Sequence, residues 1–286
     1  VQADSSVLND VVVGRFFRLR NATTPANNGD YRVTAVSTTG AVTRVYLADA
    51  SSGAAAAFTS EVFGASTAFG GRTIRNGITK KSFTLEKEFT DVGSAFHQYP
   101  GMRVTALSLN FETQNILTGS LGFTGVGQNI ASATIASATV SPGTNSVMNA
   151  SDNVGRVWEG GQAVGGICFQ SLSIDLNNNP RDQACVGSRN LQGIGTGKCT
   201  ITGNISAYFV NNNLIEKFTE GTKSNFRFQI DDADGNSYIV DLPRITYTDF
   251  TIAAGGGDQD VIQDGTWGAS IDAGGAYTIQ IDALDA

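Results

Sequence analysis

Apolar and polar residues alternate along most of the chain in short runs, broken by turns rich in Gly, Asn and Asp, and this period predicts strands almost throughout. Residues 11–20 read as a strand, Asn27-Asn28-Gly29-Asp30 as a turn, and 31–36 and 44–47 as two further strands of a compact three-stranded unit. The low-complexity stretch 50–57 then reads as a loop or linker. In the run 82–90, Phe83, Leu85 and Lys87 share one face and Thr84, Glu86 and Glu88 the other. Later strands come in pairs, 102–111 with 117–124 and 167–176 with 198–209. One helix interrupts them at 213–218, where Leu214 and Phe218 stand four apart and Gly221 supplies a stop. Residues 226–230 and 238–242 follow as a hairpin turned by Asp234-Gly235.

The two strand pairs resemble each other. Leu107-Ser108-Leu109-Asn110-Phe111 matches Leu172-Ser173-Ile174-Asp175-Leu176 at an offset of 65, and Thr118-Gly119-Ser120-Leu121 matches Thr202-Gly203-Asn204-Ile205 at an offset of 84. Similar strands recurring in the same order predict a doubled domain. The expected organisation is therefore a small β-rich insertion or incomplete N-terminal part over 1–66, then tandem β-sandwich or half-barrel domains over 67–150 and 151–286.

Composition supports an all-β chain: 286 residues include 34 Gly and 16 Phe but only 2 Met. Charged residues are 16% of the chain, low for a free monomer, which implies that much surface is covered by other subunits. A secreted β-protein relying on Ser, Thr and Asn for solubility is the alternative. A net charge of −7 leaves no basic footprint for holding nucleic acid. No apolar run approaches a membrane span and no cleavable leader is apparent; the first residue is Val1, which points to trimming or an incomplete start.

Candidate chemistry is sparse. His97 is the single histidine and has no Gly-x-Ser-x-Gly elbow to accompany it, so it reads as a loop residue. Asp232-Ala233-Asp234-Gly235-Asn236 superficially resembles a calcium loop, but its Gly comes two places early and Pro243 stands where the closing Glu belongs, so it reads as a turn. Cys168, Cys185 and Cys199 fit neither a disulfide framework nor a zinc site and read as buried or incidental thiols, with a Cys168–Cys199 bridge as the other option. Glu86 and Glu88 on one strand read as surface or interface charges, and Gly255-Gly256-Gly257 as a flexible loop. Arg72, Arg75, Lys80 and Lys81 form the positive cluster, suited to an acidic patch on a neighbouring subunit.

With those elements in place, the order of segments resembles tail tube proteins of long-tailed phages with non-contractile tails. The resemblance lies in residues 81–92, in Gly101-Met102-Arg103-Val104 and in residues 117–123. It continues through Gly195-Thr196-Gly197, residues 200–203, Ala207-Tyr208-Phe209, the helix at 214–218 and Asp241-Leu242-Pro243-Arg244-Ile245. It covers roughly 72–285, while residues 14–36 look like a small inserted unit.

The resemblance implies a structural virion protein, with neither catalytic residues nor cofactor nor metal, assembled in the host bacterial cytoplasm. Its subunits would form rings stacked into a conduit for the genome. Two tube domains per chain imply trimeric, pseudo-sixfold rings, six chains being the alternative, with a tape-measure protein and tail-end proteins as partners. DNA would pass without tight binding, and three chains of −7 would carry −21 per ring. Candidate lumen-facing residues are Thr118, Ser120, Thr200, Thr202, Asn204 and Ser206, and the loops around 178–196 and 253–265 are the expected contacts between rings. The competing reading is a secreted β-sandwich that binds carbohydrate, supported by the Asn/Thr/Gly-rich surface and weakened by having only two tryptophans, Trp158 and Trp267; a hydrolase using acids near Glu86 or Asp241 is a third.

Overall fold

The computed structural model describes residues 2–4, 11–39, 42–49, 68–93, 95–137, 147–160, 162–163, 167–271 and 277–285. The predicted linker at 50–57 lies outside the described residues. The N-terminal unit is a five-stranded antiparallel sheet built from β1 (Gln2–Asp4), β2 (Phe16–Arg20), β3 (Gly29–Thr39), β4 (Val42–Asp49) and β5 (Ala68–Gly70), in the order β1-β4-β3-β2-β5. It has its own apolar cluster of Phe17, Leu19, Tyr31, Val33, Val45 and Leu47.

The rest of the chain continues through β6 (Arg72–Arg75), β7 (Phe83–Phe89), β8 (Ala95–Glu112), β9 (Thr118–Thr124), β10 (Asn129–Ala131), β11 (Val154–Glu159) and β12 (Gln162–Ala163). After these come β13 (Phe169–Asn177), β14 (Arg181–Gln183), β15 (Gly193–Gly195), β16 (Thr200–Tyr208), α1 (Asn213–Glu220), β17 (Ser224–Asp231), β18 (Ser237–Ala253), β19 (Ile262–Ala269) and β20 (Gln280–Leu284). All these strands except the β14–β15 hairpin join one antiparallel ladder that folds over on itself.

The fold-over is made by β18. Its first half pairs with β17 and β20, and its second half, residues 245–253, pairs with β19. A front sheet thus runs β9-β8-β13-β16-β19-β18 and a back sheet β6-β20-β18-β17-β11-β12. Between them Phe111, Ile174, Ile201, Ile205 and Trp267 of the front meet Phe226, Phe228, Val240 and Leu242 of the back in one cluster. Edge-on ring contacts such as Phe111–Phe228, with centroids 5.0 Å apart, lock the two layers. Strict alternation makes this possible: along β16 every second residue from Ile201 to Ala207 is buried.

The all-β reading and the short helix agree with the structure, and Gly221 at φ 64° takes the left-handed conformation that ends α1. The boundary expected at 150 does not divide the fold. The stretches 67–150 and 151–286 contribute neighbouring strands to the same sheet, β8 against β13, and share the one core. The internal similarity has a different meaning. Leu109 pairs with Ile174, Leu107 with Leu176 and Phe111 with Leu172, so the segments matched at an offset of 65 lie antiparallel and centred on one another. Asn110–Thr118 and Leu107–Leu121 on one hairpin correspond to Asp175–Thr202 and Leu172–Ile205 on the other. The hairpins β8–β9 and β13–β16 are therefore related by a local two-fold axis through the Leu109–Ile174 pair. What is doubled is a hairpin within one sheet.

The N-terminal sheet rests on the outer face of the back sheet, on the far side of the sandwich from the front sheet. Phe16 is fully buried with Ile239 and Leu284 and sits beneath two guanidinium groups, Arg227 at 4.7 Å and Arg32 at 5.8 Å from its ring centre. Around it, Arg227 pairs with Asp241 at 3.1 Å, Tyr277 donates to Asp241 at 3.0 Å, and Arg18 pairs with Asp30 and donates to Ser237. Asp282, also fully buried, accepts from Thr73 at 2.5 Å and from Gln280. Burial pushes its carboxyl up to about 6 against those hydrogen bonds.

Candidate functional site

The candidate lumen residues come from β9 and β16, which are separated by β8 and β13. Cross-strand partners share a face, so the register decides their placement. Ser120 opposes Ser108 and Thr118 opposes Asn110; Asn110 opposes Ser173 and Ser108 opposes Asp175; Asp175 in turn opposes Thr202. Beyond them Asn204 opposes Thr266 and Ser206 opposes Asp264 on β19, which face Asp249 and Thr251 on β18. Thr118, Ser120, Thr200, Thr202, Asn204 and Ser206 thus lie on one face of one sheet, opposite the face that packs the core. All except Ser206, which is half-buried, are exposed.

That face is acidic except at one end, where Arg103 opposes Thr124 and is tied to the Ile194 carbonyl. The strand stretches 104–112, 118–124, 169–177, 200–208, 245–253 and 262–269 contain Glu112, Asp175, Asp249 and Asp264 and neither Lys nor Arg. The remaining groups are hydroxyls and amides, some linked along the surface, as in the 2.8 Å bond between Thr248 and Thr266. Among the described residues β9 is hydrogen-bonded only to β8, so one side of its backbone is an open edge. Leu121, 54% exposed, stands on it.

The front sheet also has two distinct ends. Tyr208, Ala253 and Ile262 meet at one end, where the exposed 254–261 loop joins β18 to β19. Asn177, Thr200 and Ala269 lie at the other, where the β14–β15 hairpin projects. The first half of β8 runs past this second end and pairs with β7 and β10 in a three-stranded arm.

The other singled-out residues do not converge on the polar face. His97 lies on the arm, its ring 4.9 Å from that of Phe89. Glu86 accepts from Thr134, Gln98 and the Ile135 amide; the Thr134 bond leads in holding its carboxyl below the usual range. Asp241 is buried in the ion-pair seam. Asp232 accepts from Asn236 in the predicted turn. The positive cluster is split: Arg72 pairs with Asp285 at 2.6 Å and Arg75 donates to Gln280 at 2.5 Å, while Lys80 and Lys81 are exposed. The cysteines are free, and Cys168 and Cys185 are exposed rather than buried. Cys168 sits beside Tyr208 while Cys199 adjoins the Thr200–Asn177 pair, so the register holds them at opposite ends of β13 and β16, roughly 27 Å apart, and excludes a bridge. Trp158 and Trp267 are 2% and 1% exposed, so neither offers a ring to a sugar, which further weakens the carbohydrate reading.

Sequence reasoning missed one buried polar cluster. Glu159 accepts from Lys217 of α1, from Ser224 at 2.6 Å and from Tyr247 at 3.4 Å. Burial, with the Glu159 charge behind it, drives the Tyr247 hydroxyl far up, so it stays protonated. Glu159 pairs across the ladder with Phe226; a Glu in a core-facing position of a strand was the available signal. An apolar cavity of about 230 Å³ near the 208/262 end is lined mainly by Phe111, Val154, Val157, Phe169, Phe226 and Phe228. No group of three or more His, Cys, Asp or Glu among the described residues could hold a metal, and no described helix is long and apolar enough to cross a membrane.

A polar sheet face beside an open strand edge offers a surface for strand-to-strand association between copies of a structural protein. A family model described as phage tail tube protein matches residues 21–271, and the chain belongs to the phage tail tube protein family. It is accordingly a structural component of the virion tail that assembles into a tube. A comparison with curated proteins finds no match.

Proposed function

We propose that the chain closes into a ring of six copies, with the polar face of the front sheet turned inward as the channel wall, in the tube of a non-contractile tail. The observation that carries this reading is the placement of Thr118, Ser120, Thr200, Thr202, Asn204 and Ser206 on one face whose charges are acidic apart from Arg103 at one end, on a sheet with an open edge. The edge of β9 takes a strand from the neighbouring copy, which removes the exposed backbone. An acidic and hydroxyl-rich wall, whose one cation at Arg103 is tied to the Ile194 carbonyl, offers little to hold phosphates, so DNA slides without strong counterion-releasing attachment. The protein makes and breaks no bond. It is assembled in the host cytoplasm around a tape-measure protein and joined to tail-end proteins at either end.

Six copies follow from one sandwich per chain, because related tubes close with six tube domains; a trimer would need the doubled domain. The N-terminal sheet, on the far side of the sandwich, decorates the outside. Symmetry-averaged microscopy of a tube cross-section tests both points. Six identical envelopes are expected, each with a small outer lobe. Three larger envelopes with alternating halves would restore the trimer, and a lobe inside the channel would reverse the orientation of the wall.

A further inference from the structure

The two ends of the front sheet carry opposite charge. At one end the segment 178–199, which contains the β14–β15 hairpin, has Arg181, Arg189 and Lys198 against the single acid Asp182, a net of +2 (three minus one). At the other end the 253–262 loop has Asp258 and Asp260 and no cation, a net of −2. All six side chains belong to exposed residues, and among the described residues none makes an ion pair within its own chain. Glu112, on the front sheet, and Asp152 lie toward the 208/262 end and add to its negative sign.

Both ends are held in place. The hairpin is fixed by Arg103 donating to the Ile194 carbonyl at 2.6 Å, by the Leu191 amide donating to Val126 at 3.0 Å and by the buried Ile194 side chain. The acidic loop is closed by the Phe209 amide donating to Val261 at 2.9 Å. Eight residue steps of β16, roughly 27 Å, separate the two ends, which is beyond the screening length of about 8 Å at physiological salt. Within one chain the opposite charges therefore do not satisfy each other. Stacked in one direction, each subunit presents its basic hairpin to the acidic loop of the next.

We infer that a head-to-tail charge contact between Arg181, Arg189 and Lys198 of one copy and Asp258 and Asp260 of the copy in the adjoining ring sets the direction of stacking and drives elongation. This rests on the tube reading above. Such a heterologous contact repeats without closing, as a filament requires. Each exposed pair is weak, but the contact recurs around every ring, and the multiplied effect is strong and salt-dependent. Like ends facing each other repel, so rings in the wrong orientation are rejected.

The test uses the full chain assembled at low salt, with tube length read by negative-stain microscopy. Asp258→Arg with Asp260→Arg, and separately Arg181→Glu with Arg189→Glu, are expected to leave rings but make tubes at least about tenfold shorter. All four changes in one chain exchange the signs and are expected to restore length. Unchanged length in either double variant, or no restoration in the fourfold variant, overturns the inference. Should a reversed variant lose its thermal transition, Asp258→Asn with Asp260→Asn serves instead. Wild-type tubes should shorten as salt rises to about 0.5 M while tubes of the neutral variant are already short and respond little; equal length and equal salt response overturn the inference. If the wild type forms neither rings nor tubes, the tube-subunit reading itself fails, a result distinct from loss of stacking alone.

Discussion

Asp282 sits where the N-terminal sheet meets the body, and its titration makes that joint sensitive to pH. The side chain is fully buried, accepts hydrogen bonds from Thr73 and Gln280, and lies close to the charge of Asp241. A carboxyl raised from 3.8 to about 6 by folding binds its proton more tightly in the native state. The sign follows: stability from this group is fully present below pH 3.8 and is lost as pH rises through about 6. The span is worth about 3 kcal/mol. Asp282→Asn removes the ionisation while keeping one acceptor. At pH 7.5 it should gain about 1–2 kcal/mol, the relief of charge burial less the weakening of one hydrogen bond. At pH 4 it should gain nothing. Thermal denaturation of both proteins at pH 7.5 and 4 measures this, with amide exchange in residues 16–20 reporting the joint. A stability difference between variant and wild type that is the same at both pH values would refute the argument.

Three further outcomes test the packing. Lys217→Met strands the buried Glu159 carboxylate and should cost about 3–5 kcal/mol in urea unfolding, most of it recovered by adding Glu159→Gln; a loss under about 0.5 kcal/mol would mean that the cluster is solvated. Gly203→Ala places a methyl group against the Ser173 carbonyl and the Trp267 ring, and should cost roughly 1–3 kcal/mol with a red-shifted tryptophan emission, whereas unchanged emission would contradict the close approach. Asp175→Lys with Asp249→Lys puts cations on the polar face, so assembled tubes should begin to retain duplex DNA in a salt-sensitive way; continued indifference to DNA would place that face away from the channel.

The strands were legible because burial alternates cleanly where one side faces the core. Ile201, Ile205 and Trp267 mark that side, and Thr202, Asn204 and Thr266 mark the other. The polar face could be assembled from sequence without knowing the register, because short runs such as Thr200–Ser206 already separate the two sets. Domain count was not legible. Leu107–Phe111 and Leu172–Leu176 look alike because both are central strands with the same face inward, and a sequence match cannot distinguish a doubled hairpin from a doubled domain. Charged positions failed for a related reason. Asp241 and Asp282 occupy the strand positions that face away from the core, as a solvated residue would, and only the layer stacked over them, with Arg227 and Thr73 as partners, makes them interior.

The course of β18 bears on how a wall of these sheets resists force. If the front sheet lines a channel whose axis joins the two stacking ends, the strands run lengthwise and their ladder hydrogen bonds run around the circumference. Outward pressure from a packed genome becomes hoop tension across those bonds. Between β16 and β19 the ladder is eight residues long, and the open edge of β9 offers seven, so the seam between subunits is nearly as long as the joints inside each one. Load then spreads evenly around the ring without collecting at a weak line. Where the wall turns away from the channel, β18 carries the same covalent chain into the back sheet and hands part of the tension to a second layer that never touches the DNA.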